Sequence, residues 1–363
     1  TPVSVVLADS LEQNPSNDGD VDEALEWLKE QQNADGGFSD GFSPESSVSA
    51  TVDVIIALVA GDEDAGLIQL ADGVSPVVFL YKEVQADHVE GIGTVAKVAT
   101  AVIAVGLDPT DFGGRDLIGE LEALYDADTG SYGGSIFDQA LVLLALANAD
   151  RDVALGAVDF LLDYQTEDGA WSFAGDTAEN AGDTNTTALV IQALAAAGQE
   201  AQVTTALDYL RGVQNEDGGW PYQNPSDFGT ETDANSTALV LEAIEAVGQT
   251  AAEWQVGAAD PLSALLALQN DSGSFSFQAS FPGDNALATI QAIPAVAGIS
   301  LADLPTVETS ADPEMATTPP PTTIPEAGGS AVPPIGGVAA LITGLLLVVV
   351  GYWLTRNRRQ ISP

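Results

Sequence analysis

Two short stretches set an acid, an amide and a hydroxyl at one spacing: Asp183-Thr184-Asn185-Thr186-Thr187 and, fifty residues on, Asp233-Ala234-Asn235-Ser236-Thr237. An apolar run follows each, from Ala188 and from Ala238. Asp, Asn, Ser and Thr at such a position cap helices, because their side-chain oxygens accept the orphan N–H groups of the first turn. The same residues have a second chemistry: helix N-termini that converge on a cavity offer amide donors to polar or anionic ligand groups. Asp183, Asn185, Thr187, Asp233, Asn235 and Thr237 are therefore read both as caps and as the rim of a binding site. Phe173, Tyr222 and Phe228 lie in the loops nearby, where an aromatic ring is free to meet a ligand.

These stretches must be positioned by a repeat. The spacing Leu-x3-Gln-x3-Gly-x-aromatic occurs at Leu28, Gln32, Gly36, Phe38; at Leu161, Gln165, Gly169, Trp171; at Leu210, Gln214, Gly218, Trp220; and at Leu265, Gln269, Gly273, Phe275. A fixed period of this kind is the signature of a repeat architecture. Apolar runs end at Gly61, Gly106, Asn148, Gly198, Gly248 and Gly298. Gly and Asn are the residues that take the left-handed conformation just past a helix. Six stops make six units, of which those ending at Gly106 and Asn148 have degenerate motifs. Each unit reads as two helices. In the unit starting at Val203, residues Val203, Ala206, Leu207, Leu210 and Val213 fall on one face of an amphipathic helix. Ala238 to Val247 is apolar nearly all round, as a buried helix is. The expectation is an all-α fold over 21–300, an (α/α)6 toroid of six hairpins with an inner and an outer ring; an open solenoid would use the same units.

The repeated element resembles the QW-type repeat of squalene and terpene cyclases, with related repeats in protein prenyltransferase β subunits, complement thioester domains and cobalamin-binding transport proteins. The resemblance covers roughly 21–298. It implies the (α/α)6 toroid, in agreement with the count of six. It also implies a scaffold role for Gln32, Phe38, Gln165, Trp171, Gln214, Trp220, Gln269 and Phe275, the glutamines bonding the end of a neighbouring helix and the aromatics stacking between units. It does not fix the chemistry, since one fold hosts many functions. Protonation-initiated cyclases of this family carry Asp-x-Asp-Asp-Thr-Ala. Here the central position is Asn185 or Asn235 and the next is Thr186 or Ser236. Neither an amide nor a hydroxyl is acid enough to protonate an alkene. The prenyltransferase branch binds zinc through Asp, Cys and His, and the thioester branch needs a Cys; this chain has no Cys and one His, His88. A hydrolase needs only two carboxylates across its substrate, and among 54 acidic residues no pair stands out. The expectation is a non-catalytic ligand-binding or adhesion module without metal or cofactor. The alternative is an extracellular enzyme of the toroid superfamily, terpene-cyclase-like or a carbohydrate-active lyase or hydrolase. Three ligand classes stay open: a small apolar molecule, a corrinoid or a glycan.

Outside the repeats, 301–334 is rich in Pro, Thr, Ser and Glu and reads as an extended stalk. Residues 335–354 carry no charge, and 20 residues of helix span about 30 Å, a bilayer core. The tail 355–363 holds Arg356, Arg358 and Arg359, which stay cytoplasmic and leave the repeats on the extracellular face. Ile324-Pro325-Glu326-Ala327-Gly328 resembles a sortase sorting signal with departures at its first and fourth positions. Cleavage there would join the chain to a cell wall; without it the helix remains the membrane anchor. Residues 1–20 read as a signal-peptide remnant and lead-in. The net charge of −45 repels nucleic acid and argues against polyanionic substrates.

Overall fold

A computed structural model describes residues 17–310, apart from 42, 69–72 and 228. Among the described residues, twelve α-helices follow one another as six outer–inner pairs: α1 (Asp18–Lys29) and α2 (Val48–Ala60), α3 (Pro76–Gln85) and α4 (Ile92–Ala104), α5 (Leu117–Glu122) and α6 (Ile136–Asn148), α7 (Leu155–Asp163) and α8 (Thr184–Ala196), α9 (Thr204–Val213) and α10 (Ala234–Ala246), α11 (Pro261–Leu266) and α12 (Ala286–Ala297). A two-stranded antiparallel ribbon, β1 (Phe38–Ser39) and β2 (Ser46–Ser47), joins the first pair. Even-numbered helices are apolar around most of their circumference, so they bury all sides and form the inner ring. Odd-numbered helices keep a polar face and pack outside them. Each inner helix packs on the next, and α12 packs on α2, so the ring is closed and the solenoid alternative is excluded.

The motif residues explain the closure. Gln165 Nε2 donates to Gly169 O (2.8 Å) within its own turn and to Thr205 Oγ1 (2.9 Å) at the start of the next outer helix. Gln214 makes the same pair of bonds to Gly218 O and Trp254 O, and Gln32 to Gly36 O and Val74 O. The fourth copy, Gln269, bonds Gly273 O and then Asp20 O of α1 (2.9 Å), so the staple that joins neighbouring units also seals the ring. The turn must be glycine. Gly218 has φ +94°, and a Cβ there would lie 2.9 Å from the carbonyl of Asp260 on the next unit. In the degenerate third unit Gln139, on an inner helix, takes over. Its Nε2 reaches Gly130 O and Ala157 O while its Oε1 accepts from Tyr132 N.

Two helix stops differ from the sequence reading. Gly106, Gly198, Gly248 and Gly298 are left-handed as expected, but at the other two ends the positive φ belongs to Asp62 and Asp150. Gly61 has φ −92° and is small because Leu25 packs where its Cβ would be. Asn148 ends α6 and donates from Nδ2 to Leu144 O and Leu301 O.

Helix α1 starts at Asp18, inside the stretch read as lead-in. Residues 301–310, read as the start of the stalk, are packed against the ring. No helix of the described residues is long and apolar enough to cross a membrane. The expected stalk beyond 310, the span 335–354, the sorting-like Ile324–Gly328, the tail 355–363 and residues 1–16 lie outside the described residues.

Candidate functional site

All six inner helices start on one face of the ring. Five of the six caps follow one plan, and the sixth, Gly91 before α4, makes no side-chain bond. Asp183 Oδ1 accepts from Thr186 N (2.7 Å) and Asp233 Oδ1 from Ser236 N (2.8 Å), while Ser47, Ser135 and Asn285 cap α2, α6 and α12. The residue four beyond the cap has a second task. Thr187 Oγ1 accepts from Trp171 N and Thr237 Oγ1 from Trp220 N, each at 3.0 Å; Thr51 and Thr289 do the same for Phe38 N and Phe275 N. Thr187 and Thr237 are therefore buried anchors of the motif aromatics and not part of the rim. Thr187→Val keeps the shape and leaves the Trp171 N–H without an acceptor. The expected cost is about 1–3 kcal/mol, measured by urea denaturation.

The helix N-termini are likewise occupied. Thr184 N donates to Tyr222 O and Ala234 N to Phe277 O, so the first amide of α8 and of α10 is satisfied by a loop of the following unit. With Asp183 and Asp233 taking the third amide of each, these two termini offer fewer free donors to an anion than an uncapped helix.

A cleft of about 780 Å³ remains on this face, over the seam where the ring closes. Of the rim candidates, Asn185, Asp233, Asn235 and Tyr222 line it. Asn185 Oδ1 is buried there and meets no donor; Asn235 donates to Gln291 Oε1. Asp183 lies beneath, bonded to the Tyr222 hydroxyl. Phe173 is outside the cleft: its N–H donates to Asp183 Oδ2 and its ring packs 6.3 Å from Phe137. Phe228 lies outside the described residues.

The sequence reading missed Trp27, Asp40, Glu231, Phe277, Phe281 and Asp284, all of which line the cleft. One was within reach. Phe277 follows Phe275 by two residues, as Tyr222 follows Trp220. The others had no such signal: Trp27 comes from the far end of the chain, and its ring is held by a hydrogen bond to Asp284. Phe281 is 68% exposed. Four carboxylates and no Lys, Arg or His line the cleft. Burial pushes Asp183 up to about 6 and Asp233 up to about 7, against the hydrogen bonds donated by Thr186 and Ser236.

The lumen of the ring is a different space. It holds a cavity of only about 100 Å³, because Ile56, Leu141, Leu144, Leu189, Leu239 and Ile290 converge from all the inner helices except α4. Lys97 pairs with Asp53 at 2.5 Å within it. Glu242 is buried there, and burial pushes its carboxyl up to about 8; the Gln192 amide pulls the other way and the Asp53 charge adds to the rise. Elsewhere, His88 is exposed and pairs with Glu83 at 3.0 Å, away from the cleft. Among the described residues no group of three or more His, Cys or carboxylate side chains is placed to hold a metal ion.

Residues 117–236 match the model of the squalene-hopene cyclase C-terminal domain, and residues 4–82 that of the prenyltransferase alpha-alpha toroid domain. No curated protein matches the sequence. Among solved structures, the type II terpene cyclase MstE from Scytonema in its apo form is 16% identical, with a TM-score of 0.55 over 78% of this chain and 97% of that chain. A polysaccharide lyase is 10% identical with a TM-score of 0.53 over 78% and 97%. An unsaturated glucuronyl hydrolase specific for heparin is 10% identical with a TM-score of 0.55 over 82% and 100%. At these identities the likeness is one of fold.

Proposed function

We propose that this chain, a repeat protein of the squalene-cyclase and prenyltransferase toroid superfamily, is a non-catalytic binding module that takes a neutral or cationic oligosaccharide in the cleft on the N-terminal face of its inner helices. The observation that carries this reading is the contrast between the two cavities. Ligand sites occupy roughly 300–1,000 Å³; the cleft, at about 780 Å³, falls in that range and the lumen, at about 100 Å³, falls below it. An isoprenoid chain or a corrinoid has no room in the lumen. The cleft instead pairs aromatic rings (Trp27, Tyr222, Phe277, Phe281) with hydrogen-bonding groups (Asn185, Gln278, Glu231), the mixture that stacks on sugar faces and bonds their hydroxyls. Its carboxylates, with no basic residue among them, disfavour uronates and sulfated glycans by like-charge repulsion.

A surface location is part of the proposal. Its support is the sequence of 301–363: a Pro/Thr-rich stretch, an uncharged run of membrane length and a basic end. Retention in the membrane through 335–354, or transfer to a wall after cleavage in Ile324–Gly328, would both display the ring outside the cell.

The test is a titration of the purified protein with neutral, amine-bearing and sulfated oligosaccharides, followed by calorimetry and by thin-layer analysis of the sugars. The expected result is binding of a neutral or amine-bearing member without cleavage, and none of the sulfated one. Phe281→Ala should weaken that binding by roughly tenfold, the loss of about 1 kcal/mol or more given by a truncated aromatic contact, with the melting temperature unchanged because the ring is exposed. Shortened sugars would instead support a carbohydrate-active enzyme. Cyclised hydrocarbon from a polyprenyl substrate would overturn the reading.

A further inference from the structure

The segment after α12 does not leave the ring where the ring ends. Leu301 N donates to Gln192 Oε1 of α8 (2.9 Å), and Asn148 Nδ2 of α6 donates to Leu301 O (2.9 Å). The single turn Leu301–Asp303 lies against α6, α8 and α10. The chain then crosses to the other side of the ring, where Val307 N donates to Ala104 O and Thr309 N to Val105 O at the end of α4. Ser310 finishes the crossing, donating from N and Oγ to Asp64 Oδ2. Gly106 permits the close passage, since a Cβ there would lie 3.2 Å from Glu308 Cα. Ten residues thus span the mouth of the lumen on the face opposite the cleft, and Leu301 is one of the side chains that line the lumen.

We propose that Leu301–Ser310 is a releasable strap that closes this lower mouth, and that its detachment admits small molecules to the lumen while the ring stays folded. The proposal does not depend on the cleft as a sugar site. Three features favour local release over global unfolding. No residue of the strap is fully buried; its apolar side chains Leu301, Ala302, Leu304 and Val307 are partly buried against the core. Its attachment is these partly buried side chains and a handful of hydrogen bonds at the helix ends, and segments without fully buried contacts open first. Asp303 also lies near Glu245 of α10 and works against the attachment, since like charges at short range repel. The inner helices, by contrast, are buried along most of their length.

The chain has no cysteine, so one introduced thiol reports access without interference. Leu144→Cys places it in the lumen, in the last turn of α6 and close to the strap. The probe is methyl methanethiosulfonate, added to the full-length protein. Val307→Pro with Thr309→Pro removes the two strap donors to α4 without touching the lumen lining. The expected result is labelling of the Leu144→Cys thiol at least about tenfold faster in the strap variant, with an unchanged melting temperature. Equal rates would overturn the proposal. Hydrogen exchange on the unsubstituted protein gives an answer that needs no variant: the amides of 301, 307 and 309 should exchange at least about tenfold faster than those of α6 and α8. Exchange of the strap together with those helices would overturn it.

Discussion

Replacing Trp220 with Ala is expected to destabilise the protein by about 3–5 kcal/mol, the usual cost of removing a large buried aromatic. Trp220 is 0% exposed, its Nε1 donates to Leu210 O at 2.8 Å, and its ring meets Trp254 edge-on at 5.8 Å between centroids. The Arg211 guanidinium covers the other ring, 3.8 Å from the Trp254 centroid. The substitution opens a cavity, frees a buried carbonyl and loosens the joint between two units. Urea denaturation at neutral pH would measure it, with a lowered midpoint at unchanged slope. A loss of under about 1 kcal/mol would mean that the motif aromatics are not the joints of the ring.

The second large effect depends on pH. Glu242 has a folded-state pKa pushed from 4.5 to about 8 by burial in the lumen. A raised carboxyl binds its proton more tightly in the folded chain than in the unfolded one. Its contribution is fully present below pH 4.5 and is lost as pH rises to about 8. Glu242→Gln keeps the shape and removes the titration. The variant should match the unsubstituted protein near pH 4.5 and exceed it by roughly 3–5 kcal/mol at pH 9, since each pH unit between the unfolded and folded values is worth about 1.4 kcal/mol. Asp183 and Asp233, raised to about 6 and about 7, titrate in both proteins and cancel in the difference. Denaturation curves at pH 5, 7 and 9 would read the gap. A gap independent of pH would show that Glu242 is ionised in the folded lumen.

Much of the fold was legible because its units repeat. The Leu-Gln-Gly-aromatic spacing marks the staple at each joint, and the count of helix stops gives six pairs. Closure was not legible. It rests on Gln269 reaching Asp20, 249 residues away, a pairing no local pattern announces. Gln139 shows a second limit, since one inner-helix side chain replaces a motif that the third unit has lost. The site was half legible. Asn185, Asn235 and Tyr222 share a register with their repeats, whereas Trp27 and Asp40 reach the cleft only because the ring brings the first unit beside the last. The residues that would make the two Asp-x-Asn-x-Thr stretches acid catalysts are amides and hydroxyls, and the structure uses their carboxylates and threonines to cap helices and hold the motif aromatics.

The most direct test of the account is where a bound oligosaccharide lies in a crystal structure of the complex. The predicted position is the cleft over the seam, with a sugar face against Phe281 or Trp27 and a hydroxyl on Gln278 or Glu231. Density for a ligand in the lumen, among Leu141, Leu189 and Leu239, would contradict it.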